Sequence, residues 1–459
     1  MVDVVGFLNT DTTRWKHLRT KALVFFTTRR IRAIYDDVID KCSANLVKHL
    51  DKTIGYGQPF KLKAEWARYG MDIFLGYAFT LDGHMGNYTD PRQQQQYREL
   101  VASGIRLDDD LKWRELIVRL PGFSQRLASW YTGTDLNKSF KQMEKVISAY
   151  IVQRLDNRKE GEDVGAADDD DGDNNPNKYD DEKLDIVGLY LKLIIGKVSS
   201  SDPIAIRVMT YYVIGNFLAL FGSTADILTN ISMHLARHPS IQKKLYAEIV
   251  EALDKGKDGK DQDVEVEGVR QCNLSFDQLT HLPYMDAVVK ESLRISPSAP
   301  RFRRVFGGSR DSEAAKILPG IQLEPGTRID IQISAIHMDD ELFPDPYEYN
   351  PDRFLTTNAN NRLSNLDANS LLTFSLGPQM CCGVRLAFLI VKSFLSHMIY
   401  NYQFNVIDID DLNRPKLCDA PIYPTKFMNI NAVYNLELKS RIDRLNIGGG
   451  GGRVVEVKC

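Results

Sequence analysis

The sequence predicts a mainly α fold with a minor β region, and three observations predict it. Apolar residues recur at three- and four-residue spacing from Asp11 to Ile295. Strict alternation is confined to short segments nearer the C-terminus, such as Arg328-Ile-Asp-Ile-Gln-Ile333. Composition is that of an ordinary globular chain: 43% hydrophobic and 26% charged over 459 residues, with no internal repeat.

Taken in order, Asp11 to Thr53 reads as two helices with Thr27-Thr28 as the cap between them. Lys63 to Leu81, Tyr97 to Ile105 and Leu136 to Arg158 continue the helical spacing, which Pro121-Gly122 interrupts. Residues 159–183 change character. The run Ala167-Asp-Asp-Asp-Asp-Gly-Asp-Asn-Asn-Pro176 repels itself and has nothing to bury, which predicts a disordered acidic insertion. The helical pattern resumes unchanged at Leu184, so the chain reads as a single domain over 1–459. Pro203 to Ala236 is the longest helix, and Ser240 to Lys255 a charged one. Gly256 to Gln271 is a polar loop, Ser275 caps a short helix, and Leu282-Pro-Tyr-Met opens a helix to Ile295. Strands are expected at Ile317 to Leu323, Arg328 to Ile333 and Phe427 to Leu438. The glycine-rich tail, 445–459, reads as flexible.

A net charge of -3 speaks against bulk affinity for nucleic acid. The six cysteines are scattered with no CxxC pair, a pattern of a reducing compartment that leaves one cluster to carry chemistry. Met1 to Thr10 lacks the basic flank and long apolar run of a signal peptide. The most apolar stretch, Tyr211 to Leu228, is broken by Asn216, Ser223, Thr224 and Asp226, and reads as a buried helix.

That cluster is Phe374-Ser-Leu-Gly-Pro-Gln-Met-Cys-Cys-Gly383, ahead of an apolar helix from Val384 to Asn401. Backbone N–H groups and the positive end of a helix dipole lower a cysteine's pKa and accept a thiolate. Gly377 and Gly383 let backbone approach a flat group without a Cβ in the way, and Phe374 would limit water near the sulfur. Cys381 has the right glycine offsets; Cys382 does not, and is assigned a packing role. Upstream, Glu291-Ser-Leu-Arg294 puts an acid and a base on one helical face. Glu65-Trp-Ala-Arg68 has the same form, so this pair counts only in company with Phe343-Pro-Asp-Pro-Tyr-Glu-Tyr-Asn-Pro-Asp-Arg-Phe354.

Phe-x-x-Gly-x-x-x-Cys-x-Gly, Glu-x-x-Arg and Pro-x-Arg-Phe in this order resemble the cytochromes P450, the heme-thiolate monooxygenases, and most closely their eukaryotic microsomal members. The likeness runs from about Asp11 to Lys439. It implies heme b with Cys381 as axial ligand, and a structural lock of Glu291, Arg294 and Arg353. Trp15 and Arg19 (in Trp15-Lys-His-Leu-Arg19) and Arg304 match family ligands of the heme propionates. Phe374, Gly377, Gln379 and Gly383 line the heme in the same analogy. Gln379 stands where the family carries Arg or His, and offers one donor without charge.

On the long helix, Ala219-Leu-Phe-Gly-Ser-Thr224 aligns with the family's oxygen-activating segment. Leu220 replaces a glycine and Gly222 an acid, leaving Ser223 and Thr224 as the proton-delivering alcohols and Asp226 as a substitute acid. The resemblance implies oxidation of a small lipophilic substrate with O2, and electrons from an NADPH–cytochrome P450 reductase, with cytochrome b5 as a possible second donor. It implies no nucleic-acid partner, and a place on the cytosolic face of the endoplasmic reticulum membrane. The family's N-terminal anchor, and about a hundred residues in all, have no counterpart ahead of Met1. Two alternatives stand beside this reading: a heme-thiolate isomerase or dehydratase acting on a hydroperoxide without a reductase, and a truncated, non-catalytic remnant.

Overall fold

The structure, a computed structural model, describes residues 16, 19–20, 23–54, 62–79, 94–106, 122–156, 186–190, 202–255, 265–266, 269–270, 272–312, 316, 321–355, 371–406 and 436–440. Its helices in chain order begin with α1 (Thr28–Ile34), which runs through a π turn at Tyr35–Ile39 into α2 (Asp40–Ile54). Then come α3 (Leu62–Phe79), α4 (94–106), α5 (Gly122–Asp156), α6 (Ile186–Tyr190), α7 (Pro203–Arg237) and α8 (Pro239–Lys255). A hairpin of β1 (Glu265–Val266) and β2 (Val269–Arg270) precedes α9 (Phe276–Thr280) and α10 (Pro283–Ile295). Strands β3 (Phe302–Val305) and β4 (Arg328–Ile331), helices α11 (Ile333–His337) and α12 (Val384–Asn401), and strands β5 (Tyr402–Val406) and β6 (Leu436–Ser440) complete the order. The mainly α fold is as the sequence predicts.

Two compact units are present: Met1–Leu282 with Cys382–Asp408 and Asn429–Cys459, and Pro283–Cys381 with Ile409–Met428. The core of the first is α7 against α3, α5 and α12. Helix α7 starts where Asp202 accepts from the Ile204 and Ala205 amides at 3.0 and 3.1 Å, with Pro203 at its first position. It is the one described helix long and apolar enough to cross a membrane, but its Phe217, Phe221, Ile227, Leu228 and Ile231 are spent on neighbouring helices. The two helices run close at Gly70 on α3, where a Cβ would make an ordinary contact 3.7 Å from the Phe221 carbonyl. Trp66 and Phe394 meet edge to face at 4.7 Å, joining α3 to α12.

Polar atoms inside this unit are matched to backbone. Buried Gln242 donates from Nε2 to the carbonyls of Leu235 (2.7 Å) and Phe404 (2.8 Å) and accepts from the Phe404 amide (3.0 Å). One side-chain amide thereby satisfies both backbone groups of a β5 residue. Buried Lys392 spends its ammonium on the carbonyls of Leu279 and Thr280, at the end of α9.

The second unit holds α10, the antiparallel pair β3–β4, α11, a 3-10 turn at Pro351–Phe354, and the segment Leu371–Cys381.

Helix ends follow local chemistry. Ser275 and Gln278 form a capping box. Thr27 is the N-cap of α1 by backbone geometry alone, and neighbouring Thr28 accepts from Arg385. Helix α5 opens at Gly122 and runs unbroken to Asp156, so the interruption read at Pro121-Gly122 falls between α4 and α5.

The β region departs further from expectation. The polar loop Gly256–Gln271 contains β1–β2, whose two-residue connection with Gly268 is a hairpin signal that low hydrophobicity masked. The Arg328 strand stops at Ile331 because Ile333 opens α11, and its partner Phe302–Val305 was not foreseen. Of Ile317 to Leu323 only 321–323 are described, with an isolated bridge at Ile321. Of Phe427 to Leu438 the described part belongs to β6, paired with β5. The acidic segment 159–183 and the tail 445–459 lie outside the described residues.

Candidate active site

Glu291 has no exposure to solvent, so its charge must be met by donors. Its Oε1 accepts from Arg294 Nη2 (2.9 Å), Arg353 Nε (3.1 Å) and the Asn350 amide (2.9 Å), while Oε2 accepts from Arg294 Nε (2.8 Å). Two cations against one anion leave donors over, and carbonyls take them. Arg294 Nη1 donates to the His337 carbonyl at 2.8 Å, and Arg353 donates to those of Pro344, Asp345 and Glu348. Phe343 lies under the Arg294 guanidinium at 5.3 Å and keeps the cluster dry. The look-alike pair Glu65–Arg68 also bonds, at 2.8 Å, but its arginine is 42% exposed where Arg294 is 0%.

The cysteine segment is fixed within the same unit by short backbone bonds. Thr373 donates to the Leu293 carbonyl at the end of α10 (3.1 Å), and the Leu372 amide donates to His337 Nε2 (2.9 Å). A 3-10 turn at Leu372–Phe374 closes on Ser375, whose φ of 65° is one that side chains seldom adopt. A second turn, Gly377–Gln379, opens on Gly377 at φ 75°, with open space where a Cβ would stand. The Cys381 amide then donates back to the Phe374 carbonyl at 2.9 Å, fixing the residue's backbone while its side chain remains exposed.

Strand alternation brings a cation to this turn. Arg303 pairs across the ladder with Asp330 at 2.8 Å, so Arg304 faces the other way and donates to Ser375 Oγ at 2.8 Å. An exposed thiol and an open glycine on the turn, with the Arg304 guanidinium bonded to it from β3, fit a heme-thiolate group: sulfur for the iron, open backbone for the macrocycle, a cation for a carboxylate.

The other expected residues fall as follows. Phe374 is half-buried, Gln379 is exposed, and Gly383 is the N-cap of α12 with φ -87°, a value open to any residue. Ser223 lies on the less buried face of α7 with Ala219 and Leu220, and its hydroxyl donates to the Ala219 carbonyl. Thr224 and Gly222 are buried on the packed side, with the Thr224 methyl toward Gly70. The Asp226 carboxylate is paired with Lys63 at 3.1 Å. Arg19 is half-buried in a helical stretch, and Trp15 lies outside the described residues. Sequence reasoning missed His337 and Ser375, which touch the two ends of the turn; no spacing rule marks either.

The family model described as Cytochrome P450 matches residues 3–422. The chain therefore belongs to the cytochrome P450 family, and is by class an oxidoreductase of the monooxygenase type built on heme-thiolate chemistry. Among its curated relatives is cytochrome P450 3A14 of Cavia porcellus, 25% identical over 408 residues, covering 87% of this chain and 71% of that protein. Cytochrome P450 3A30 of Fundulus heteroclitus is 22% identical, covering 91% and 75%. Cytochrome P450 3A28 of Bos taurus is 24% identical, covering 85% and 67%.

Proposed function

We propose that this chain oxidises a small lipophilic substrate at heme b held by Cys381, with electrons from an NADPH–cytochrome P450 reductase and cytochrome b5 as an auxiliary donor. The observation that carries it is the turn from Phe374 to Cys381, fixed at both ends and presenting one exposed thiol. When bound, the heme supplies the activation of oxygen. The protein's own groups do the rest. Cys381 ligates as thiolate, Arg304 (with Trp15 and Arg19) neutralises the propionates, and Phe374 excludes water from the sulfur. Gly377 and Gly383 leave room for the ring, and Gln379 contributes a donor. Glu291, Arg294 and Arg353 hold the backbone behind the turn. Ser223 and Thr224 deliver protons; of the two, Ser223 has its oxygen on the open face of α7, where its lone pairs can accept from water. The whole acts as one functional domain, at the cytosolic face of the endoplasmic reticulum membrane where the resemblance to microsomal members puts it.

The test is a carbon monoxide difference spectrum of the reduced, heme-supplied protein. The long-wavelength Soret band of thiolate ligation should appear in wild type and vanish in Cys381→Ser. Its absence from wild type sinks the assignment.

One observation favours a second reading. With Gly222 in place of an acid and Asp226 engaged by Lys63, α7 offers little acidity for cleaving oxygen. A hydroperoxide arrives already reduced and would need less. Turnover of a hydroperoxide without reductase or NADPH would select the isomerase or dehydratase; strict dependence on both would select the monooxygenase.

A further inference from the structure

His337 is completely buried, and both its ring nitrogens are used. Nε2 lies 2.9 Å from the Leu372 amide, and Nδ1 3.0 Å from the Arg294 carbonyl. A backbone N–H can only donate, so Nε2 must be an unprotonated acceptor. The proton then sits on Nδ1 and is donated to the Arg294 carbonyl. The partners on the two sides thus fix a single neutral tautomer. Burial supports it, holding the imidazole down to about 4 from its ordinary 6.5. Phe343 meets the ring edge-on at 6.0 Å and lies 5.3 Å from the Arg294 guanidinium, giving the joint an aromatic wall.

What lies on either side gives the joint a purpose. Toward the core, Arg294 is the residue locked to Glu291, and it also grips His337 through the latter's carbonyl at 2.8 Å. Toward the surface, Leu372 opens the turn whose carbonyl accepts from Ser375 (2.8 Å); two residues on, Phe374 accepts from the Cys381 amide (2.9 Å). Thr373 is tied to α10 separately, through Leu293.

We propose that His337 is a positioning residue for the thiolate: its neutral ring is the strut that fixes the turn bearing Cys381 to the buried Glu291–Arg294–Arg353 cluster. The proposal rests on Cys381 being the iron ligand. The strut acts through one acceptor atom at the Nε2 position. Gln at this site can place an oxygen there, Asn reaches only as far as Nδ1, and Phe fills the space with neither.

The experiment compares His337→Gln, His337→Asn and His337→Phe with wild type as heme-loaded protein, by the carbon monoxide difference spectrum and by hydrogen exchange at the Leu372 amide. Gln should keep both near wild type. Asn and Phe should speed Leu372 exchange about tenfold, the order expected for one lost buried hydrogen bond. They should also convert a substantial part of the thiolate band to the shorter-wavelength band of a lost or protonated thiolate. Wild-type exchange and spectrum in Phe would overturn the proposal. Should Phe fail to fold, equal exchange in Asn and Gln would overturn it instead. A wild-type protein with no thiolate band overturns the ligand reading, and this proposal with it. A wild-type band that survives unchanged in Asn and Phe overturns only the strut.

Discussion

At the scale of single residues, energies are set by what a side chain is denied when its partner goes. Removing the charge of Glu291 leaves two guanidinium groups in a dry site. Glu291→Gln should therefore cost about 3–5 kcal/mol in urea unfolding, the range for breaking a buried pair. Arg68→Ala, at the same spacing but on a part-exposed pair, should cost below about 1 kcal/mol. A similar loss for both variants would contradict the burial argument. Gln242→Leu keeps the volume but orphans both backbone groups of Phe404. A loss of about 1–3 kcal/mol should appear, together with faster amide exchange at Phe404.

At the scale of elements, α7 is where sequence and packing meet most closely. Its start is a cap, and Asp202→Ala should cost about 1 kcal/mol, since it orphans the Ile204 and Ala205 amides. Its middle is a fitted contact with α4. A Cβ on Gly104 would come within 2.7 Å of Phe217 Cζ, whose ring stacks on Phe221 at 4.8 Å and meets Phe74 at 5.0 Å. Gly104→Ala should thus lose about 1–3 kcal/mol despite its better helix propensity. A gain in thermal midpoint would show that the phenylalanine cluster yields more easily than this packing implies. The same helix separates Ser223 from Thr224: adjacent positions on a 3.6-residue turn point about 100° apart, so one meets open surface and the other α3.

At the scale of the whole molecule, stability should depend on pH through His337. The unfolded imidazole takes a proton near 6.5, whereas the folded one resists until about 4. Between those values the unfolded chain binds more protons, so stability rises with pH through that window, by up to about 1.4 kcal/mol per unit. Above 6.5 both states are neutral and this contribution is flat. Urea midpoints measured across the window should climb more steeply in wild type than in His337→Gln, and equal slopes would assign the dependence to other groups.

The sequence by itself determined the fold class, the family and the cluster of Glu291, Arg294 and Arg353. The first rests on helical periodicity and the second on fixed intervals between chemically distinctive residues, while the cluster is what the family resemblance implies. Periodicity also carried the long helices, whose many turns average out any single misleading residue. The short strands were poorly legible, because β3, β4 and β5 owe their existence to partners distant in the chain or to the element that follows. The tertiary structure added the burial that separates the Glu291 pair from its double at Glu65. Only it engaged Asp226 with Lys63, and only it placed His337 between the charged cluster and the cysteine turn. Burial and hydrogen-bond geometry depend on what the rest of the chain brings alongside, and a histidine 35 residues before Leu372 carries no mark in sequence of which backbone amide it will accept.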